Sequence, residues 1–309
     1  MSSFKHILFP IDFSERCRAA VPFVEKMASR YHAKVTLISV ATPFYASGLD
    51  GALIIEPQLL LKEVKSRLDA SFAQDFANVE VDRVAALGDP ATVIADYVRS
   101  HRVDLVMMPS HGYGPFRQLL LGSVTAKVLH DLDCPVWTTA HTEDDLDHGH
   151  LGLRKILCAV DGSPESTGLM RWAAALSKDV GATLRIVHVV PGMEAWPDRQ
   201  MDLEFEVHMQ STACRSIEEM AASAGIDATI DVTIGSVADG VAKEATRYQA
   251  DLLVIGRGVI RGTLGRLRTH SYGIIRLSPC PVMSVPPESI ARHDAVSESL
   301  LSEHACPVA

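Results

Sequence analysis

The sequence predicts an α/β chain made of two doubly wound domains, each with a five-stranded parallel sheet. Three observations carry this. The chain repeats itself: Lys5-His6-Ile7-Leu8-Phe9-Pro10-Ile11-Asp12-Phe13-Ser14 returns as Arg154-Lys155-Ile156-Leu157-Cys158-Ala159-Val160-Asp161-Gly162-Ser163. Its short apolar runs are continuous rather than alternating, as in strands buried on both faces of a parallel sheet. Amphipathic stretches separate those runs, which is the βα alternation of doubly wound folds. The length of 309 residues suits two domains of ordinary size.

Three more anchors keep the order of the repeat. Val35–Val40 matches Leu184–Val189, Asp104–Met108 matches Asp251–Ile255, and Cys134-Pro135-Val136 matches Cys280-Pro281-Val282, at offsets of 149, 147 and 146 residues. In the first copy the apolar runs predict strands at about 5–11, 34–40, 79–85, 103–109 and 135–140. Helices are expected at about 14–31, 56–76, 89–101 and 122–131. The second helix carries Leu60, Leu61, Val64, Leu68, Phe72 and Phe76 at helical spacing, with Pro57 in its first turn. Asp89-Pro90 reads as an N-cap followed by proline at the first helical position. The second copy repeats the pattern from Arg154 to Pro286. The expected divisions are a first domain at 1–141, an acidic, polar linker at 142–152, a second domain at 153–287 and a mobile tail at 288–309.

Composition narrows the function. Hydrophobic residues make up 47% and charged residues 22%, a globular balance. A formal net charge of −9 argues against general nucleic-acid binding. No apolar run approaches the roughly 18 residues of a membrane span, and the N-terminus lacks a signal-peptide core. The six cysteines form no C-x-x-C pair, so a reducing cytoplasm is the expected location. His141, His148 and His150 lie beside acidic residues, a pattern open to a metal or to a plain solvated linker. His304 and Cys306 in the tail read as incidental.

In a doubly wound sheet, ligands bind outside the carboxyl ends of the strands where strand order reverses. Asp12 and Asp161 fall there, as helix N-caps, as ligand contacts, or as both. After the fourth strand the first copy reads Pro109-Ser110-His111-Gly112-Tyr113-Gly114, then Gly122-Ser123-Val124 opening a helix. Glycine lets backbone N–H groups approach an anion, and a helix N-terminus adds a positive dipole end. The Ser123 hydroxyl can donate to a phosphate oxygen; such charge-assisted bonds are worth about 1.5–3 kcal/mol each. Three or four reach the roughly 8 kcal/mol of micromolar binding after association costs. The plain alternative is a turn ending in a helix cap. His111 could steer a phosphate or simply brace its own loop.

The set Pro10-x-Asp12-x-Ser14, Ser110-His111-Gly112, nine residues, Gly122-Ser123-Val124, and Cys134-Pro135-Val136 resembles the universal stress protein family, and two copies resemble its tandem type. The resemblance spans about 280 of the 309 residues. It implies a Rossmann-like sheet of strand order 3-2-1-4-5 in each domain, with ATP, alone or with Mg2+, at the switch point. By the family pattern Asp12 and Val40 would hold the adenosine, and Gly112, Gly122, Ser123 and Val124 the phosphates. It also implies pairing of the last-strand edges, Val136–Thr139 and Val282–Val285, either between the two domains of one chain or in a homodimer.

Departures set the expectations for each copy. Pro109 stands where the family has its first glycine, removing one N–H. It also holds Met108 extended, as a strand end requires. In the second copy Asp161, Val189, Gly256 and Gly258 keep their places, but the phosphate glycine has become Arg268 and the serine Thr269. Arg257, Arg261, Arg266 and Arg268 gather charge there, either as a solvated basic loop or as side-chain donors to a different anion. No G-x-S-x-G elbow, G-x-x-x-x-G-K-S/T loop, H-E-x-x-H or paired-cysteine zinc pattern occurs, so no catalytic residue is named. The expected function is an ATP-binding stress-response regulator using mainly its first domain. The alternatives are a pseudo-symmetric scaffold with decayed sites and a slow ATPase.

Overall fold

The computed structural model describes residues 4–42, 56–72, 74–110, 121–139, 152–192, 203–258 and 269–304. The chain divides into two compact units, the first ending at Thr139. They are called domain 1 and domain 2 below.

Domain 1 runs β1 (His6–Pro10), α1 (Glu15–Tyr31), β2 (Lys34–Ala41), α2 (Pro57–Ser71), β3 (Val81–Leu87), α3 (Pro90–His101), β4 (Leu105–Met108), α4 (Ser123–Asp131) and β5 (Val136–Thr138). The strand order is β3-β2-β1-β4-β5, and its pairs are parallel. Ile7, Leu8 and Phe9 are fully buried, which accounts for the unbroken apolar run of β1. β1 pairs with β2 on one side and β4 on the other, so the chain reverses direction across the sheet at β1. Helix ends follow their sequence signals. Asp89 caps α3 by accepting from Thr92 N at 3.0 Å, and His32 and Arg102 close α1 and α3 in the left-handed region at φ 49° and 51°.

Helix α2 ends at Ser71, short of the expected 76, although Leu68, Phe72 and Phe76 are all buried. Two distant guanidiniums explain the stop. Arg18 donates to Ser71 O at 2.8 Å and Arg83 to Phe72 O at 2.7 Å, satisfying carbonyls that a longer helix would have used.

Domain 2 repeats the design with β6 (Lys155–Val160), α5 (Ser166–Val180), β7 (Thr183–Pro191), α6 (Leu203–Ser223), β8 (Thr229–Gly235), α7 (Val237–Tyr248), β9 (Leu252–Gly256), α8 (Thr269–Leu277) and β10 (Val282–Val285). Its order, β8-β7-β6-β9-β10, is again 3-2-1-4-5 counted within the domain. A shared clip explains one anchor of the repeat. Asp104 Oδ2 accepts from the N–H groups of Lys5 and His6 at 2.8 and 2.9 Å, and Asp251 Oδ2 accepts from Arg154 and Lys155, both at 2.8 Å. Each carboxylate ties the start of the domain's first strand to its fourth.

Within the stretch expected to be a mobile tail, α9 spans Pro287–His304 and packs on α5; 305–309 lie outside the described residues. Pro287 opens the helix with the φ it needs. Its apolar anchor is Ile290, which seats against Gly168 of α5, a partner that a search for apolar spacing does not find.

Candidate functional site

In domain 1, Pro10, Asp12, Val40 and Pro109 lie at the carboxyl ends of β1, β2 and β4, and Gly122, Ser123 and Val124 open α4. Ile11 N donates to Ile38 O at 2.8 Å, carrying the β1–β2 pairing to the foot of Asp12. Asp12 is exposed and its Oδ1 accepts from Ser14 N at 2.9 Å. Asp12 is therefore not the N-cap. That role belongs to Ser14, whose Oγ accepts from Cys17 N at 3.2 Å, with the Asp12 turn braced one step earlier. Pro10 ends β1, and its carbonyl accepts from Cys17 Sγ at 3.6 Å. Burial, aided by the Asp12 charge, pushes the Cys17 thiol far above its ordinary range, so it stays protonated. Val40 is half-buried near the end of β2, opposite Ala86.

Across the switch point, Pro109 follows β4 directly and its carbonyl accepts from Thr125 Oγ1 at 3.2 Å. Ser110 O accepts from Gly122 N at 3.0 Å, which ties the residue after Pro109 to the start of α4. Gly122 is the N-cap residue of α4 and brings no side-chain cap, so the N–H groups of the first turn, from Ser123 and Val124 onward, have no acceptor within the helix. Ser123 is exposed and Val124 half-buried. The Gly122 N–H itself is engaged by Ser110, so an anion at this turn would meet the N–H groups that follow it. His111 and Gly112 lie outside the described residues, as do the linker histidines and Cys306.

Domain 2 shows a cleft of about 320 Å³ at the equivalent edge. Asp161, Val189, Gly256 and Gly258 all line it. Asp161 Oδ1 accepts from Ser163 N and from Ser166 Oγ, both at 3.0 Å, which fixes the turn into α5. It is not an N-cap either, since α5 starts after Glu165 with no side-chain cap. Gly256 ends β9, and a Cβ there would come within 3.3 Å of Leu169 Cδ2. Arg268 lies outside the described residues, and Thr269 begins α8.

Of two further cleft residues, His188 was missed from sequence and Arg257 was read two ways. His188 stands in the cleft where the 149-residue offset places Ser39 of domain 1. Its Nδ1 lies 2.9 Å from Val160 O, and because a carbonyl only accepts, Nδ1–H is the donor and Nε2 the acceptor of the neutral ring. Arg257 takes the place of Ser110 and is only 3% exposed, with its N–H donating to Val285 O at 2.8 Å. This corrects the reading of Arg257 as part of a solvated basic loop: the backbone bond to β10 turns it into the cleft wall. The repeat offsets place both at the sheet edge, but do not tell which way their side chains are buried.

Cys134 and Cys280 are buried where small thiols pack, and burial pushes the Cys280 thiol up to about 12. Among the described residues no group of three or more metal-ligating side chains occurs, and no helix is long and apolar enough to cross a membrane.

The profile of the Universal stress protein family matches the chain twice, over residues 3–139 and 152–286. The chain belongs to the universal stress protein family. The crystal structure of a universal stress protein from Archaeoglobus fulgidus is similar to it with a TM-score of 0.67 at 21% identity, covering 91% of this chain and 98% of that one. A putative universal stress protein from Pseudomonas aeruginosa superposes with a TM-score of 0.61 at 17% identity, over 96% of this chain and 99% of the other. These likenesses support the two-domain fold. A universal stress protein of Methanocaldococcus jannaschii is 27% identical over 137 residues, 43% of this chain and 80% of the relative, a stretch about the length of one copy.

Proposed function

We propose that this universal stress protein is a nucleotide-binding regulator whose main ATP site lies in domain 1. One observation carries the reading. The strand order puts the turn of Asp12, the end of β2 at Val40 and the uncapped N-terminus of α4 on one edge, either side of the switch point. A nucleoside would sit against Asp12 and Val40. Its phosphates would meet the first-turn N–H groups of α4, the positive end of the helix, and the exposed Ser123 hydroxyl. In this reading the bound nucleotide serves to set conformation or partner choice. Mg2+ would ride with the phosphates.

Native mass spectrometry of gently purified protein tests this. The expected result is a fraction of chains carrying the mass of ATP or ADP, a fraction that falls in Ser123→Ala by roughly tenfold or more, as loss of a charge-assisted bond implies. Protein that takes up no nucleotide, even with millimolar ATP added, would favour the scaffold reading.

A further inference from the structure

Among the described residues helix α9 has no counterpart in domain 1, and it touches the domain 2 cleft. Pro287 and Ile290 line that cleft together with Leu169, Val189, Val241 and Ile274. The same face of α9 holds the helix down. A Cβ on Gly168 would come within 2.4 Å of Ile290 Cγ2 and 3.3 Å of Asp294 Oδ2, so the glycine is a notch into which α9 fits. Asp294 also faces Arg171 at 3.7 Å, a partly exposed pair of small energetic weight. Pro287, Ile290 and Asp294 follow at spacings of three and four, one helical stripe. Glu288, Ala291 and Arg292 are exposed. The helix hangs from β10 by Pro286-Pro287, with Ser289 N donating to Pro286 O at 3.0 Å.

From this geometry we infer that the domain 2 cleft is a ligand chamber in its own right and that α9 is its lid. One side chain, Ile290, is at once the inner surface of the chamber and the foot that seats the helix. Lifting the helix opens the chamber, and filling the chamber bears on the helix. α9 lies on the outside of the domain, with Glu288, Ala291 and Arg292 exposed, and lids are drawn from such peripheral elements. The largely apolar lining calls for a molecule with an aromatic or aliphatic body, while His188 Nε2 supplies a polar handle. The inference goes beyond the nucleotide reading of domain 1 and does not depend on it.

The full chain, its Gly168→Ala variant and its Ile290→Ala variant are compared in two measurements. Hydrogen exchange is followed on peptides from α9 and from the cleft turn at 161–166. Stopped-flow fluorescence follows capture of 1-anilinonaphthalene-8-sulfonate, an aromatic probe. Both variants should raise exchange at least about tenfold in α9 and in the turn together. They should also speed capture of the probe by a similar factor, or permit capture that the unaltered chain refuses. Ile290→Ala only trims an α9 side chain, so it keeps the test open should Gly168→Ala fold poorly. Faster exchange in α9 with an unchanged turn would make the helix a mere appendage and overturn the inference. Equal capture rates in all three proteins, or no capture in any, would overturn it as well. Neither readout involves the nucleotide site of domain 1.

Discussion

Domain 1 and domain 2 share a frame and differ in what stands at its open edge. Both bury the middle of the first strand, and both fasten it with an aspartate at the start of the fourth, Asp104 and Asp251. At the edge, domain 1 has Ser110 bonded to Gly122 at an exposed helix start, whereas domain 2 has Arg257 in the wall of a cleft partly roofed by α9. The lesson is that sheet order and strand clips specify where a site can be, while a few edge residues decide what it can hold. Duplication keeps the first and frees the second.

The shared frame can be broken by paired mutations. Leu8→Ala and Leu157→Ala each empty a fully buried position of the central strand. Each should cost about 3–4 kcal/mol in its own domain, read by urea unfolding of that domain's probes. Unequal costs would show that one core tolerates collapse better than the other. Asp104→Ala and Asp251→Ala should each cost about 2 kcal/mol by removing two carboxylate bonds to backbone N–H groups. Domain-resolved hydrogen exchange at the first-strand amides is the check.

The differences can be sharpened in the same way. The third and fourth helices of each domain are held together by unlike means. In domain 1 Lys127 donates to Asp89 Oδ1 at 2.8 Å; in domain 2 a Cβ on Gly273 would meet Ala238 Cβ at 3.0 Å, so the helices meet through the glycine. Gly273→Ala should therefore cost domain 2 about 1 kcal/mol through overpacking, visible as a lowered unfolding midpoint. Domain 1 should respond instead to acid. The Lys127 ammonium and the Thr92 donors hold the Asp89 carboxyl well below the usual carboxylate range. The tie is complete above the ordinary aspartate pKa of about 4 and is lost as pH falls from there through the depressed value. Because the pair is exposed the effect is small. It should appear as faster exchange at the start of α3 in acid, absent from α7.

Much of the fold was legible because its signals are local. Continuous apolar runs marked the strands, Asp89-Pro90 marked the start of α3, and the repeat supplied the second domain. What escaped depends on partners remote in sequence. The end of α2 is set by Arg18 and Arg83, from α1 and β3. The docking of α9 is set by the absence of a side chain at Gly168. At the site, Asp161, Val189, Gly256 and Gly258 could be carried from one copy to the other by position. The roles of Arg257 and His188 could not, because only the tertiary structure tells a buried polar side chain from a solvated one.

The central claim is that one chain carries two unlike sites, with the nucleotide site in domain 1. Calorimetric titration of ATP into the full chain and into Gly122→Arg, which writes Arg268 of domain 2 into domain 1, tests it most directly. The account predicts one ATP per chain at micromolar affinity and none in the variant, with circular dichroism unchanged. Two equivalent sites per chain, or undiminished binding in Gly122→Arg, would contradict it.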